Sequence, residues 1–187
     1  MDDIVKAALL KWPNVPHCYG WLALDARGGW YMRDDRIQHS GPFPQVKGSR
    51  IEHDKLLAFI QRNYGHDEAG AWFFQNGPQR VYVELEAAPW TWRVEQGQGQ
   101  ASGQFTVHSH TGLPARLTTH AQASWLDENG RLFLATDIGL GLVHTMDMGI
   151  AAQAVEQGLW QPAEMPWAQM PQHFAFQLKP APGAAQS

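Results

Sequence analysis

Three segments of this chain share one spacing: Asp25-x-x-Gly28-x-Trp30, Asp67-x-x-Gly70-x-Trp72 and Asp127-x-x-Gly130-x-Leu132. In each, Asp can hydrogen-bond the turn backbone, Gly supplies a positive φ, and an aromatic residue or Leu begins the next apolar run. Turns of this kind join antiparallel strands. Three independent hairpin turns explain the spacing better than true internal repetition does.

The rest of the chain fits around these reversals. Asp2 or Asp3 caps a predicted helix through Lys11, ended by Trp12-Pro13. Trp21–Leu24 and Trp30–Met32 form the first hairpin, and a polar loop follows from Asp34 to Gly48. Ser49-Arg50-Ile51-Glu52 has capping-box spacing, which predicts a helix over Arg50–Tyr64 with Gly65 as its C′ residue. Val81, Val83 and Leu85 alternate with Tyr82, Glu84 and Glu86 in a half-buried strand, and Trp90, Trp92 and Val94 repeat the pattern. Gln96 to Gly103 reads as a hinge or disordered tip. A strand with Phe105 and Val107 follows, then a hairpin of Ala123–Leu126 and Arg131–Ala135 and a strand at Gly139–His144. A helix over Asp147–Gln157 is capped by Asp147 and stopped by Gly158, and Phe174, Phe176 and Leu178 alternate as a last strand. The expected fold class is α+β, with two small β-rich lobes, antiparallel sheets and a few short helices. The expected boundaries are residues 1–88 for an N-terminal α+β lobe, 89–178 for a β-rich C-terminal lobe and 179–187 for a loose tail.

Composition narrows the function classes. With 14 basic and 18 acidic residues among 187, a net charge of −4 and 44% hydrophobic residues, the chain is not of the disordered class. No run of Lys or Arg offers the concentrated basic surface that a phosphate backbone requires, so nucleic acid is not an expected partner. One cysteine, Cys18, excludes an intrachain disulfide and any Cys-based metal cluster. The opening residues lack a secretory pattern and no apolar run is long enough to span a bilayer, so a soluble, cytoplasmic protein without a membrane partner is expected. Nine Trp and nine His are the unusual counts.

Those residues supply the candidate sites. His108 and His110 stand at i and i+2 of a strand, a spacing that lets two imidazoles converge on one metal ion. His120, and Glu84 or Glu86 from a neighbouring strand, would complete such a site. A solvated face with two histidines is the plainer reading. Cys18 beside His17 is a buried thiol rather than an activated nucleophile, because adjacent strand residues face opposite ways. Gly28-Gly29 and Gly139-Leu140-Gly141 lack the remaining glycines of a phosphate loop. Trp90 and Trp92 share a strand face; with Tyr82 they line an aromatic groove if that face is open, and form core if it is closed.

Between Trp21 and Trp90 the order of motifs is Gly28-Gly29-Trp30-Tyr31, Leu56-Leu57-x-Phe59-Ile60, Trp72-Phe73-Phe74, Gly77-Pro78-Gln79-Arg80-Val81-Tyr82-Val83-Glu84 and Ala88-Pro89-Trp90. This resembles small bacterial, chiefly proteobacterial, proteins known only as domains of unknown function. In those, a glycine-aromatic hairpin and a helix precede a P-x-x-V-x-V-E strand and a more β-rich lobe. The resemblance implies a bipartite α+β architecture and carries over no catalytic, metal or ligand residue. The Trp-rich C-terminal region here departs from that pattern.

Aromatic excess without a catalytic constellation leads to one expectation of function: a non-enzymatic binding or regulatory module. It would hold a small apolar ligand or a protein segment in an aromatic-lined groove, by default the one between the lobes, and needs no cofactor. The alternative is a metal-assisted hydrolase using His108 and His110. A third reading is a pH-responsive assembly driven by histidine charging.

Overall fold

The computed structural model describes residues 1–97, 103–118 and 122–182. The protein is α+β, with two compact units each built on one mixed sheet in which antiparallel pairs dominate. The first unit holds Met1–Asp25, Gly29–Glu86 and the chain from Phe176 onward; the second holds Ala26–Gly28 and Ala87–Ala175. Among the described residues, no helix is long and apolar enough to cross a membrane.

In the first unit, β1 (Cys18–Leu24), β2 (Trp30–Met32), β3 (Ser49–Arg50), β4 (Tyr64–His66), β5 (Trp72–Asn76) and β6 (Gln79–Leu85) lie in the order β3-β2-β1-β6-β5-β4. The central pair, β1 with β6, is parallel, with Leu22 opposite Val83 and Leu24 opposite Leu85. The core holds Leu22, Leu24, Trp30, Phe74, Val83 and Leu85. Its helices are α1 (Asp3–Lys11), α2 (Asp35–Ser40) and α3 (Asp54–Arg62).

The three Asp-x-x-Gly turns share one construction. The Asp N–H donates to the carbonyl four residues on, at 2.9 Å for Asp25 to Gly29, 3.1 Å for Asp67 to Ala71 and 3.1 Å for Asp127 to Arg131. The N–H of that fourth residue returns to the Asp carboxylate at 2.8, 3.0 and 2.8 Å respectively. Gly28, Gly70 and Gly130 each take a φ between +71° and +80°. Each loop is thus closed by hydrogen bonds among its own residues.

Elsewhere tertiary pairing overrides local signals. Ser49 and Arg50, read as a capping box, pair with Met32 and Tyr31 as a short edge strand. Helix α3 starts later, with His53 as N-cap, its Nδ1 accepting from Leu56 N–H at 3.3 Å. Gly65, read as a helix end, lies in β4 opposite Phe73. The polar loop contains α2, capped by Asp34, whose carboxylate accepts from Ile37 N–H at 3.0 Å.

In the second unit, β7 (Trp90–Gln96), β8 (Phe105–Ser109), β9 (Pro114–Ala115), β10 (Ser124–Leu126), β11 (Leu132–Thr136), β12 (Gly139–Val143) and β13 (Ala163–Glu164) lie in the order β13-β10-β11-β12-β7-β8-β9. β12 runs parallel to β7, and β10 to β13; the other pairs are antiparallel. Helices α4 (Met148–Glu156) and α5 (Met170–His173) complete it. Asp147 precedes α4 but makes no side-chain cap bond; its carboxylate goes to Arg93 and Val94 N–H instead. Phe174 to Leu178, read as a last strand, follow α5 without forming one. Most of the expected tip at Gln96 to Gly103 and the end of the expected tail lie outside the described residues.

Candidate functional site

The tryptophans read as a possible groove are core. Trp90 and Trp92 are 4% and 0% exposed and stack with centroids 6.1 Å apart. Their indole N–H groups donate to the carbonyls of Ile138 at 2.7 Å and Leu134 at 2.9 Å, so the polar atoms are satisfied inside. Both rings lie over Gly141 in the neighbouring strand. A Cβ there would stand 2.5 Å from Trp92 Nε1 and 2.8 Å from Trp90 Cβ. Tyr82 lies in the other unit, buried against Tyr19 at 4.6 Å, its hydroxyl donating to Asp67 at 3.0 Å. Burial, reinforced by the Asp67 carboxylate, pushes that phenol above its ordinary range and keeps it a neutral donor. Among the described residues the exposed tryptophans are Trp12 and Trp21, and Trp167 is half-buried.

His108 and His110 have separate surroundings. His108 lies on β8 with Nε2 3.9 Å from a Glu95 carboxylate oxygen. His110 follows the strand; its Nδ1 accepts from Thr91 N–H at 3.2 Å and its ring sits 5.8 Å from Trp90. Glu84 and Glu86 belong to the first unit, where they pair with Arg33 and Lys47, and β6 and β8 belong to different sheets. His120 lies outside the described residues. Among the described residues, no group of three or more His, Cys, Asp or Glu is placed to hold a metal ion. Cys18 is half-buried, on the wall of an apolar cleft in the first unit, and His17 packs edge-on against Tyr82.

The second unit contains a different aromatic site. The pleat puts Trp125, Phe133, Ala135, Leu140 and Leu142 on the sheet face opposite Gly141, because Trp125 pairs with Phe133, Phe133 with Leu142 and Ala135 with Leu140. Over this face opens a cleft of about 540 Å³, lined among others by Trp125, Ala135, Leu140, His173 and Phe174. Three rings meet at its edge. Trp125 stands 4.8 Å from Phe174 at 76° and 6.4 Å from His173 at 60°, and His173 stands 4.6 Å from Phe174 at 73°. Such edge-to-face contacts hold each ring by its neighbours.

Local structure at α5 brings two of these rings in. Met170, fully buried, anchors the helix, and Pro171 occupies its first turn, where a missing N–H costs nothing. Phe174 N–H closes the turn on Met170 O at 2.9 Å, and Ala175 then takes the left-handed conformation at φ 51°. An alanine held there is locally unfavourable, by about 1–2 kcal/mol.

The polar groups at the cleft are few. Thr136 spends its hydroxyl within the β11–β12 turn, donating to Gly139 O at 3.1 Å and accepting from Ile138 N–H at 3.2 Å. Gln122 donates its amide to the carbonyls of Ser124 and Gln161, leaving its own carbonyl oxygen as an acceptor. Thr118 adds a hydroxyl. None of the described lining residues is Asp, Glu, Lys or Arg.

A family model described as "Protein of unknown function (DUF2946)" matches residues 1–183. The chain belongs to this family. Among solved structures the chain is similar to a DUF1285 family protein from Silicibacter pomeroyi, with TM-score 0.50 and 15% identity over 75% of this chain and 72% of the other. It is also similar to a DUF1285 family protein from Shewanella baltica, with TM-score 0.47 and 14% identity over 71% and 91%. The first likeness shows the shared fold, two-lobed and α+β. No curated protein matches the chain.

Proposed function

We propose that this protein is a binding module whose second unit holds an uncharged, largely apolar small molecule in the Trp125 cleft. The observation that carries this reading is the meeting of Trp125, His173 and Phe174 at an open cleft whose described lining bears no permanent charge. A charged ligand entering there would lose hydration without gaining a partner. A flat apolar one would lie on His173 and Phe174, whose rings are held edge-on by the buried Trp125, so little ordering entropy is lost on binding. The volume falls in the range of small-molecule sites, about 300–1,000 Å³, rather than that of an extended peptide groove. The Gln122 carbonyl and the Thr118 hydroxyl supply two polar points for orientation. The single cysteine calls for no oxidising compartment, and we place this binding in the cytoplasm.

The test is a titration with the uncharged dye Nile red, followed by its fluorescence. Thr118 is half-buried on the cleft wall, so Thr118→Trp fills the space with little disturbance of the core. It is expected to weaken dye binding about tenfold or more, while Trp21→Ala, at the apolar cleft of the first unit, leaves binding unchanged. Equal affinity in Thr118→Trp and the unmodified chain, or loss of binding in Trp21→Ala alone, overturns the reading.

A further inference from the structure

We propose that the first unit carries a second, chemically different site: a pocket whose polar groups, on Arg33, Glu84, Gln38 and Lys179, take a small zwitterion of the α-amino acid class. The pocket has a volume of about 220 Å³. At its wall Arg33 Nη1 donates to Glu84 Oε2 at 2.5 Å, with the two side chains 3% and 6% exposed. Arg33 Nη2 donates to Gly41 O at 2.7 Å. Removing two charges from water is costly, and an ion pair so deeply placed seldom stabilises a fold more than apolar residues of the same shape would. The pair therefore needs a reason beyond stability.

The pair is also incompletely satisfied at both ends. Arg33 Nε is buried with no hydrogen-bond partner among the described residues. Glu84 Oε1 faces toward Lys179, whose Nζ stands 3.9 Å away, beyond hydrogen-bond reach, with its side chain 71% exposed. A second acceptor is fixed close by. Gln38 donates its amide nitrogen to Arg33 O at 3.0 Å, and its Oε1 lies over Gly20, where a Cβ would come within 2.5 Å of it. Gly20 sits at φ +76°, so a side chain there would be strained as well as in collision with the amide.

The pocket thus presents two inner acceptors, Glu84 Oε1 and Gln38 Oε1, and one ammonium at its mouth. A ligand ammonium would donate to the acceptors, and a carboxylate one carbon away would meet Lys179. A bare anion would leave Glu84 Oε1 without a donor and face its charge. A bare cation would meet Arg33 and Lys179 with the single Glu84 carboxylate to offset them, and would leave Lys179 without an anion. Only a molecule bearing both charges answers both halves, and the volume limits it to a small one.

Calorimetric titration of the full chain with L-alanine, sodium acetate and ethylamine separates these cases. L-alanine is expected to bind, and each half-ligand to bind about tenfold more weakly or worse. Lys179→Gln changes an exposed residue and is expected to weaken L-alanine about tenfold with the thermal transition unchanged. Gly20→Ala, which displaces Gln38, is expected to weaken it as well. Acetate binding as tightly as L-alanine makes this a plain anion site and overturns the proposal. So does the absence of L-alanine binding, or full affinity in Lys179→Gln. Because the pocket and the Trp125 cleft are lined by different residues of different units, failure of one leaves the other standing.

Discussion

In the second unit the buried carboxylates accept from backbone N–H groups and pair with arginines that reach solvent. Asp127 closes a four-residue turn and pairs with Arg131, whose side chain is 31% exposed; Asp147 accepts from Val94 N–H and from Arg93, 45% exposed. In the first unit Glu84 pairs with Arg33, and both ends of that pair are out of solvent. The two proposed sites differ likewise, a cleft with rings at its edge in one unit and a pocket holding the Arg33–Glu84 pair in the other. A carboxylate that accepts from backbone N–H is explained by the backbone it holds. One whose hydrogen bond comes only from a buried cation is not, and it marks the place to look for a ligand.

The largest expected effect tests that contrast. Glu84→Leu strands the Arg33 charge, and urea denaturation is expected to show a loss of about 3–5 kcal/mol. Adding Arg33→Met to the same chain removes the stranded charge and is expected to restore most of it. A loss within about 0.5 kcal/mol, the range of ordinary surface substitutions, would break the contrast.

Asp147→Asn comes next, at about 1.5–3 kcal/mol for the charge-assisted bonds it removes. The Arg93 guanidinium, with Val94 N–H, holds the Asp147 carboxyl below its ordinary value despite burial. The stabilisation is therefore fully present above the unfolded carboxylate pKa of about 4, and is lost as pH falls through the lower folded value. Thermal melts below about pH 4 are expected to fall less steeply for Asp147→Asn than for the unmodified chain. Parallel slopes would contradict the assignment.

Gly141→Ala puts a methyl into the Trp90–Trp92 stack and is expected to cost about 1–3 kcal/mol, with a change in near-ultraviolet circular dichroism from the two indoles. The smallest effect is a gain. Ala175→Gly relieves the left-handed alanine after Phe174 and is expected to stabilise by up to about 1 kcal/mol, read as a raised thermal midpoint.

The hairpins were legible because their turns close by local chemistry, as Asp25, Asp67 and Asp127 show. The β7 strand was legible from the alternation of Trp90, Trp92 and Val94, all of them buried. That alternation did not say whether the face was covered, since covering depends on β12 lying alongside with Gly141 in register. Ser49 reads equally well as a cap or an edge strand, and pairing with Met32 decides it. The parallel pairs β1–β6 and β12–β7 join segments far apart in sequence, and no turn announces them. The candidate cleft was illegible for the same reason. Trp125 and Phe174 lie in unrelated stretches, and Phe174 alternates with Phe176 like a strand residue until the α5 turn and Ala175 redirect it.

The most direct measurement follows the indole N–H resonances of ¹⁵N-labelled protein while Nile red is added, with Trp125 assigned through Trp125→Phe. The account predicts that the Trp125 resonance moves in proportion to dye bound, while those of Trp30 and Trp92 stay in place. A Trp125 resonance that does not move while that of Trp21 shifts would contradict it.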